Sequence, residues 1–298
     1  MRKIIPVSAL ILISILISSL FPACQPTASG KDGDTTIFLP VVFNKNGSAK
    51  PLIVNHLNTN VHAIPDYWIN EARKLVVHYA HTSHGSQILT GLEWLEKQDP
   101  KYNVSIIESG VVAKPPDATA LGFYDGNNYS GNTYITPDMY WESSQGMAKT
   151  RSVVETGWFD VSLWTWCGQM SSYNTTQVNA YMGFLDQLEK DYPSLRTVYY
   201  TGHTDGSAPG STLWRNNNLV RSYAQEHNKA LFDFADIESY NPAGTFYPNV
   251  SDDCSWCQGW CNSHPGAFEC QNYSQMGDCA HSHKLQCALK AQAFWQLM

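Results

Sequence analysis

Charge is scarce in this chain. Only 15% of the 298 residues are Asp, Glu, Lys or Arg, and the net charge is −7. Lys and Arg nowhere gather into a basic run, which argues against nucleic acid as the main partner. No internal repeat is found, so a solenoid or propeller is excluded. Beyond the first two dozen residues no apolar run is long enough to span a bilayer. What is abundant is apolar: 43% of the residues, with 10 Trp and 16 Tyr, enough for a sizeable core and against global disorder.

The N-terminus has the pattern of an export signal. Arg2 and Lys3 precede an apolar stretch, Ile4 to Phe21, and Pro22-Ala23-Cys24 follows. A small residue before a cysteine is similar to the lipobox of bacterial lipoproteins, which makes Cys24 the expected lipidation site of an envelope-anchored protein. Plain secretion and an uncleaved anchor are the alternatives, and the membrane is met only through the signal or the lipid. Residues 1–24 are therefore assigned to the signal. Residues 25–50, rich in Ser, Thr, Gly, Lys and Asp, form a tether, and 51–298 the folded domain. Six of the other seven cysteines (Cys254, Cys257, Cys261, Cys270, Cys279, Cys287) crowd the C-terminal part, most of them in an insertion at about 245–277. Export predicts three disulfides among them, with a Cys279–Cys287 bridge as one expectation. The competing expectation is a zinc site from Cys254, Cys257, Cys261 and His264. Cys167 is the odd thiol.

Strand and helix patterns alternate. Lys74–Ala80, Val104–Ile107, Phe159–Trp166, Thr197–Tyr200 and Ala230–Phe234 read as buried strands. Gln87–Lys97, Thr176–Asp191, Leu213–Asn228 and Lys284–Met298 read as helices. Residues 109–150 read as one long ordered loop. The order predicts an α/β domain, a three-layer α/β/α sandwich on a flavodoxin-like parallel sheet. In such sheets ligands bind outside the carboxyl ends of the strands. Ser83, Cys167-Gly168-Gln169, Gly202-His203 and Asp278 to His281 are all expected there.

Ser83 follows the first predicted strand in the turn His81-Thr82-Ser83-His84-Gly85. A serine hydroxyl needs a base, and the base needs an orienting acid. Asp278-Cys279-Ala280-His281 supplies both on one turn, with His283 as a rival base. Ser83 can equally cap the helix that follows. Ser86 and Thr82 compete with it, and His81 and His84 could tune the site or bind a metal. The backbone N–H groups of Ser83 and Gly168 and the side-chain amide of Gln169 are candidate oxyanion donors.

These blocks resemble the SGNH/GDSL hydrolase superfamily over about residues 74–298. The family pattern implies Ser83 as nucleophile, Asp278 and His281 as the acid–base pair, and a pocket glycine for which Gly110 is the candidate. Its Gly-Asp-Ser-Leu signature is missing, and Gln169 stands where the family has an oxyanion-hole asparagine. Gly202 and His203 line the pocket, or His203 and Asp205 form an alternative acid–base pair. The resemblance implies an esterase acting on carboxylic esters, including O-acetylated carbohydrates, through an acyl-enzyme and with no cofactor or metal. A carbohydrate-binding protein that has lost catalysis, or a zinc-dependent hydrolase, are the alternatives.

Overall fold

The computed structural model describes residues 50–298. The export signal with Cys24, and the tether up to residue 49, lie outside the described residues. Seven strands form one wholly parallel sheet: β1 (Leu52–Val54), β2 (Val76–His81), β3 (Val104–Glu108), β4 (Leu121–Asp125), β5 (Val161–Thr165), β6 (Arg196–Tyr200) and β7 (Ala230–Phe232). The order across the sheet is β1-β7-β6-β5-β2-β4-β3. Its inner five strands, β4-β2-β5-β6-β7, follow the flavodoxin-like order 2-1-3-4-5. The helices are α1 (Asp66–Ala72), α2 (Ser86–Gln98), α3 (Ser144–Val154), α4 (Thr175–Asp191), α5 (Thr212–Glu226), α6 (Phe234–Ser239), α7 (Cys257–Ser263) and α8 (Lys284–Leu297). No described helix is long and apolar enough to cross a membrane.

Strand alternation sends neighbouring side chains to opposite faces. On one face Tyr79, Phe123 and Phe232 meet Phe294 of α8. On the other, Tyr199 meets Tyr181 of α4 and Tyr223 of α5. The central strands β2, β4 and β5 are buried almost throughout, because helices cover both of their faces. α4 begins with a capping box, in which Asn174 and Gln177 satisfy each other's backbone N–H groups.

The expected loop at 109–150 is corrected: it holds β4 and α3. Leu121-Gly122-Phe123-Tyr124-Asp125 is five residues long, contains a glycine and follows Pro115-Pro116, so its pattern is masked by its flanks. Hydrogen bonding to both β2 and β3 overrides that weak local signal. The zinc expectation is also corrected. Cys254 pairs with Cys257, and Cys261 with Cys270, so those thiols are consumed in disulfides. The third bridge is Cys279–Cys287, as expected.

Candidate active site

The switch point of a 2-1-3-4-5 sheet lies between its strands 1 and 3, here β2 and β5. Two short 3-10 turns leave the sheet there, Ser83–Gly85 after β2 and Gly168–Ser171 after β5. Gly85 is what lets them close up. A Cβ on it would stand 2.2 Å from His81 Cβ and 2.3 Å from Thr165 Oγ1. Any other residue would drive the first turn into the ends of β2 and β5.

His84 and Cys167 meet across this junction. His84 Nδ1 is 3.2 Å from Cys167 Sγ, and His84 Nε2 is 2.9 Å from Asp252 Oδ2. Ser251 Oγ donates to the other oxygen of Asp252 at 2.8 Å. Ser83 Oγ lies 3.5 Å from the same sulfur. Thiol, imidazole and carboxylate thus form a continuous hydrogen-bonded line. Partial burial opposes charge on Cys167. Hydrogen bonds from His84 and Ser83 outweigh it and bring the thiol down to about 7. Burial opposes charge on His84 as well, and its bonds to Asp252 and Cys167 outweigh that and raise it to about 9. Asp252 is held well below the ordinary carboxylate range: His84 and Ser251 outweigh the cost of its burial. Between about 7 and about 9 the line is a thiolate, an imidazolium and a carboxylate.

Two further histidines surround His84. The His203 ring stacks on it at 3.7 Å with an interplanar angle of 5°, and the His281 ring at 4.7 Å and 21°. Ring nitrogens of His84 and His203 and the sulfur of Cys167 lie within 4.8 Å of one another, a spacing that metal ligands can have. Imidazole binds a metal in its own ring plane. The rings of His84 and His203 are stacked in nearly parallel planes, so those planes do not meet at a common ion. As placed, these rings are not co-ligands.

Thr204 is the anchor beneath. Its carbonyl accepts from Asp252 N (3.0 Å) and His203 Nδ1 (2.7 Å). Its own N–H and hydroxyl donate to Glu238 Oε2 at 2.6 and 2.9 Å. Glu238 in turn pairs with Lys290 of α8 at 2.6 Å, and both are fully buried. One buried ion pair therefore fixes both the carboxylate and the second histidine.

The residues expected from sequence divide into those brought to this junction and those left outside it. Ser83 is there, in contact with sulfur. The serine–histidine–aspartate line is not formed: His281 is exposed, with φ +64°, and among the described residues makes no hydrogen bond to Ser83. The Asp278 side chain is exposed, and only its carbonyl is engaged, by Thr90 Oγ1. His283 caps α8, its Nδ1 accepting from Leu285 N at 3.1 Å, which leaves it no role as the base. Gly168 is at the junction, and its N–H faces the Cys167 sulfur. Gln169 accepts from Cys167 N through Oε1 at 2.8 Å, and its Nε2 has no partner among the described residues. Gly110 stands after the edge strand β3, two strands from β2, packed against the backbone of Tyr129 and Gly131. The glycine after the strand beside β2 is Gly126. Gly202 is buried against Met170 and tied to Asn217, which fixes the loop that carries His203. Asp205 does not pair with His203; Ser171 and Ser207 bind it instead. His81, fully engaged by Thr82 O (2.6 Å) and Asp125 Oδ2 (3.1 Å), donates from both nitrogens and is an imidazolium.

Sequence reasoning missed Cys167 as a reactive group and Asp252 altogether. The signal for the first was an unpaired cysteine at the end of a central strand. For the second there was none, because Asp252 reaches His84 across 168 residues of chain. No protein-family model, curated protein or solved structure matches the chain.

Proposed function

We propose that the chain is a hydrolase of carboxylic esters that works through an acyl-enzyme, with Cys167 as nucleophile, His84 as its acid–base partner and Asp252 orienting the imidazole. The observation that carries this reading is the unbroken line Cys167 Sγ, His84, Asp252, with contacts of 3.2 and 2.9 Å. Nucleophile, base and orienting acid in hydrogen-bond reach is the arrangement covalent catalysis needs, whatever order they take in the chain. The thiolate attacks the ester carbonyl carbon. The carbon–oxygen bond to the alcohol breaks, and the departing alkoxide takes the proton on His84 Nδ1. Ser83 Oγ–H and the N–H groups of the two 3-10 turns stand ready for the oxyanion, because the first N–H groups of such turns lack intrahelical acceptors. The protein acts outside the cytoplasm, exported or anchored through Cys24, a location its three disulfides favour.

A second reading makes Ser83 the nucleophile, on the SGNH/GDSL pattern. What favours it is the place of Ser83 in the turn after β2, 3.5 Å from Cys167 Sγ, with the His281 ring over His84. Peptide mapping separates the two. Iodoacetamide should label Cys167 and stop turnover of p-nitrophenyl acetate. Labelling of Ser83 by a fluorophosphonate, with activity surviving Cys167→Ala, would reverse the assignment. An inert wild type would remove the ester reading itself.

A further inference from the structure

The proposed mechanism leaves one group at the junction without a task. His203 is almost buried, its ring stacked on that of His84. Its Nδ1 donates to Thr204 O at 2.7 Å, which fixes the neutral tautomer with the lone pair on Nε2. That nitrogen has no partner among the described residues. A carbonyl acceptor, not a carboxylate, orients the ring; Asp252 Oδ2 is 3.9 Å from Nδ1. His84 is the opposite case, a cation already engaged at both nitrogens. Two histidines in van der Waals contact are thus held in different protonation states by different partners.

An acyl-enzyme needs both states. Acylation needs an acid at the leaving alcohol, and hydrolysis needs a base at the incoming water. We propose that His203 is the general base of the deacylation half-reaction, taking a proton through Nε2 from the water that attacks the acyl group on Cys167, while His84 serves the acylation half. The inference rests on the ester reading above. In this step water gives one proton to His203, and its oxygen bonds to the thioester carbonyl carbon. The carbon–sulfur bond breaks and returns the Cys167 thiolate. The new carboxylic acid passes its proton to His84, neutral since acylation, and His203 releases its own to solvent.

The geometry allows this. A ring nitrogen of His203 lies within 4.8 Å of Cys167 Sγ, and no hydrogen bond joins the two among the described residues, so a water at the thioester would share one small space with the His203 ring. The stack also times the step. Burial holds His203 below its ordinary value; the Glu238 carboxylate opposes this, and the neighbouring His84 cation adds to it. Once His84 has given its proton to the alcohol, the repulsion is gone, and His203 becomes a stronger base at the stage when a base is required.

The test is rapid mixing of the full chain with p-nitrophenyl acetate, comparing the first turnover with the steady state. His203→Asn keeps a donor at the Nδ1 position for Thr204 O and removes the Nε2 acceptor. It should leave the first turnover within about threefold of wild type and slow the steady state by about 10²-fold or more. An acetyl adduct should build up on the Cys167 peptide, and hydroxylamine, which attacks thioesters without a base, should restore turnover. His203→Gln, which packs differently, should behave alike, and circular dichroism checks the fold of both. An unchanged steady state in either folded variant overturns the proposal. So does an equal fall of first turnover and steady state with no adduct, which would make His203 a structural or acylation residue. A wild type that releases no p-nitrophenolate and gains no adduct fails earlier, at the ester reading, and takes this inference with it.

Discussion

Among the described residues, two clusters bring a histidine onto a serine or cysteine side chain, and they lead opposite lives. At the junction His84 links Cys167 to Asp252. Beneath it, His78 of β2 accepts from Ser162 Oγ at 2.8 Å and donates Nε2–H to Gly126 O at 3.0 Å, while Tyr140 donates to the same serine at 2.6 Å. On paper the second cluster is a serine–histidine pair too. Two differences decide. Its third member is a carbonyl, not a carboxylate, and no substrate can enter because His78 and Ser162 are both fully buried. Desolvation lowers His78 to about 4, against the hydrogen bond to Gly126, so the ring stays neutral. A nucleophile–histidine hydrogen bond is therefore a packing motif until a charge partner and a path to solvent are added.

Substitutions can break this contrast. Cys167→Ala should lower kcat/KM for p-nitrophenyl acetate by at least about 10³-fold, whereas Ser162→Ala should cost stability and leave activity per folded molecule intact. Asp252→Asn comes next. It should lower turnover by about 10²- to 10⁴-fold and move the alkylation midpoint of Cys167 upward from about 7. The pH profile sharpens the same point. The working state pairs a thiolate with an imidazolium, so kcat/KM should rise through about 7 and fall through about 9.

His78 should show itself only in stability. Its folded value is depressed below the ordinary 6.5, so the unfolded chain binds the extra proton first. Acidification from 6.5 to about 4 should then cost on the order of 3 kcal/mol through this residue. Denaturant melts of His78→Gln should lack that slope. Smallest of all, Asp278→Asn should leave both turnover and stability within twofold and about 0.5 kcal/mol, since its carboxylate has no partner among the described residues.

The framework was legible in the sequence because buried parallel strands are written as short apolar runs. The five predicted strands lie at β2, β3, β5, β6 and β7, and with them came the placing of Ser83 and of the turn after β5. β1 and β4 escaped: β1 is only three residues long, and the five residues of β4 are flanked by proline and glycine and have partners distant in sequence. The residues of the proposed acid–base pair were harder for a related reason. Asp278-x-x-His281 is a local pattern and can be seen in one dimension. Asp252 belongs to an irregular loop whose path is set by the Cys254–Cys257 bridge and by Thr204, and no periodicity announces where such a loop will return. Cys167 was visible as the odd cysteine, but its neighbour His84 looked like one of two turn histidines until the carboxylate was in place.

The short reach of the three disulfides bears on how the chain matures. Partners are separated by 3, 9 and 8 positions, whereas Cys167 stands well over eighty positions from any other described cysteine. A loop roughly ten times longer closes at an added entropic cost of about 2 kcal/mol. During oxidative folding the six C-terminal thiols will find one another before any of them finds Cys167. Chain statistics alone can then leave, among the described cysteines, six sulfurs locked and one sulfur free.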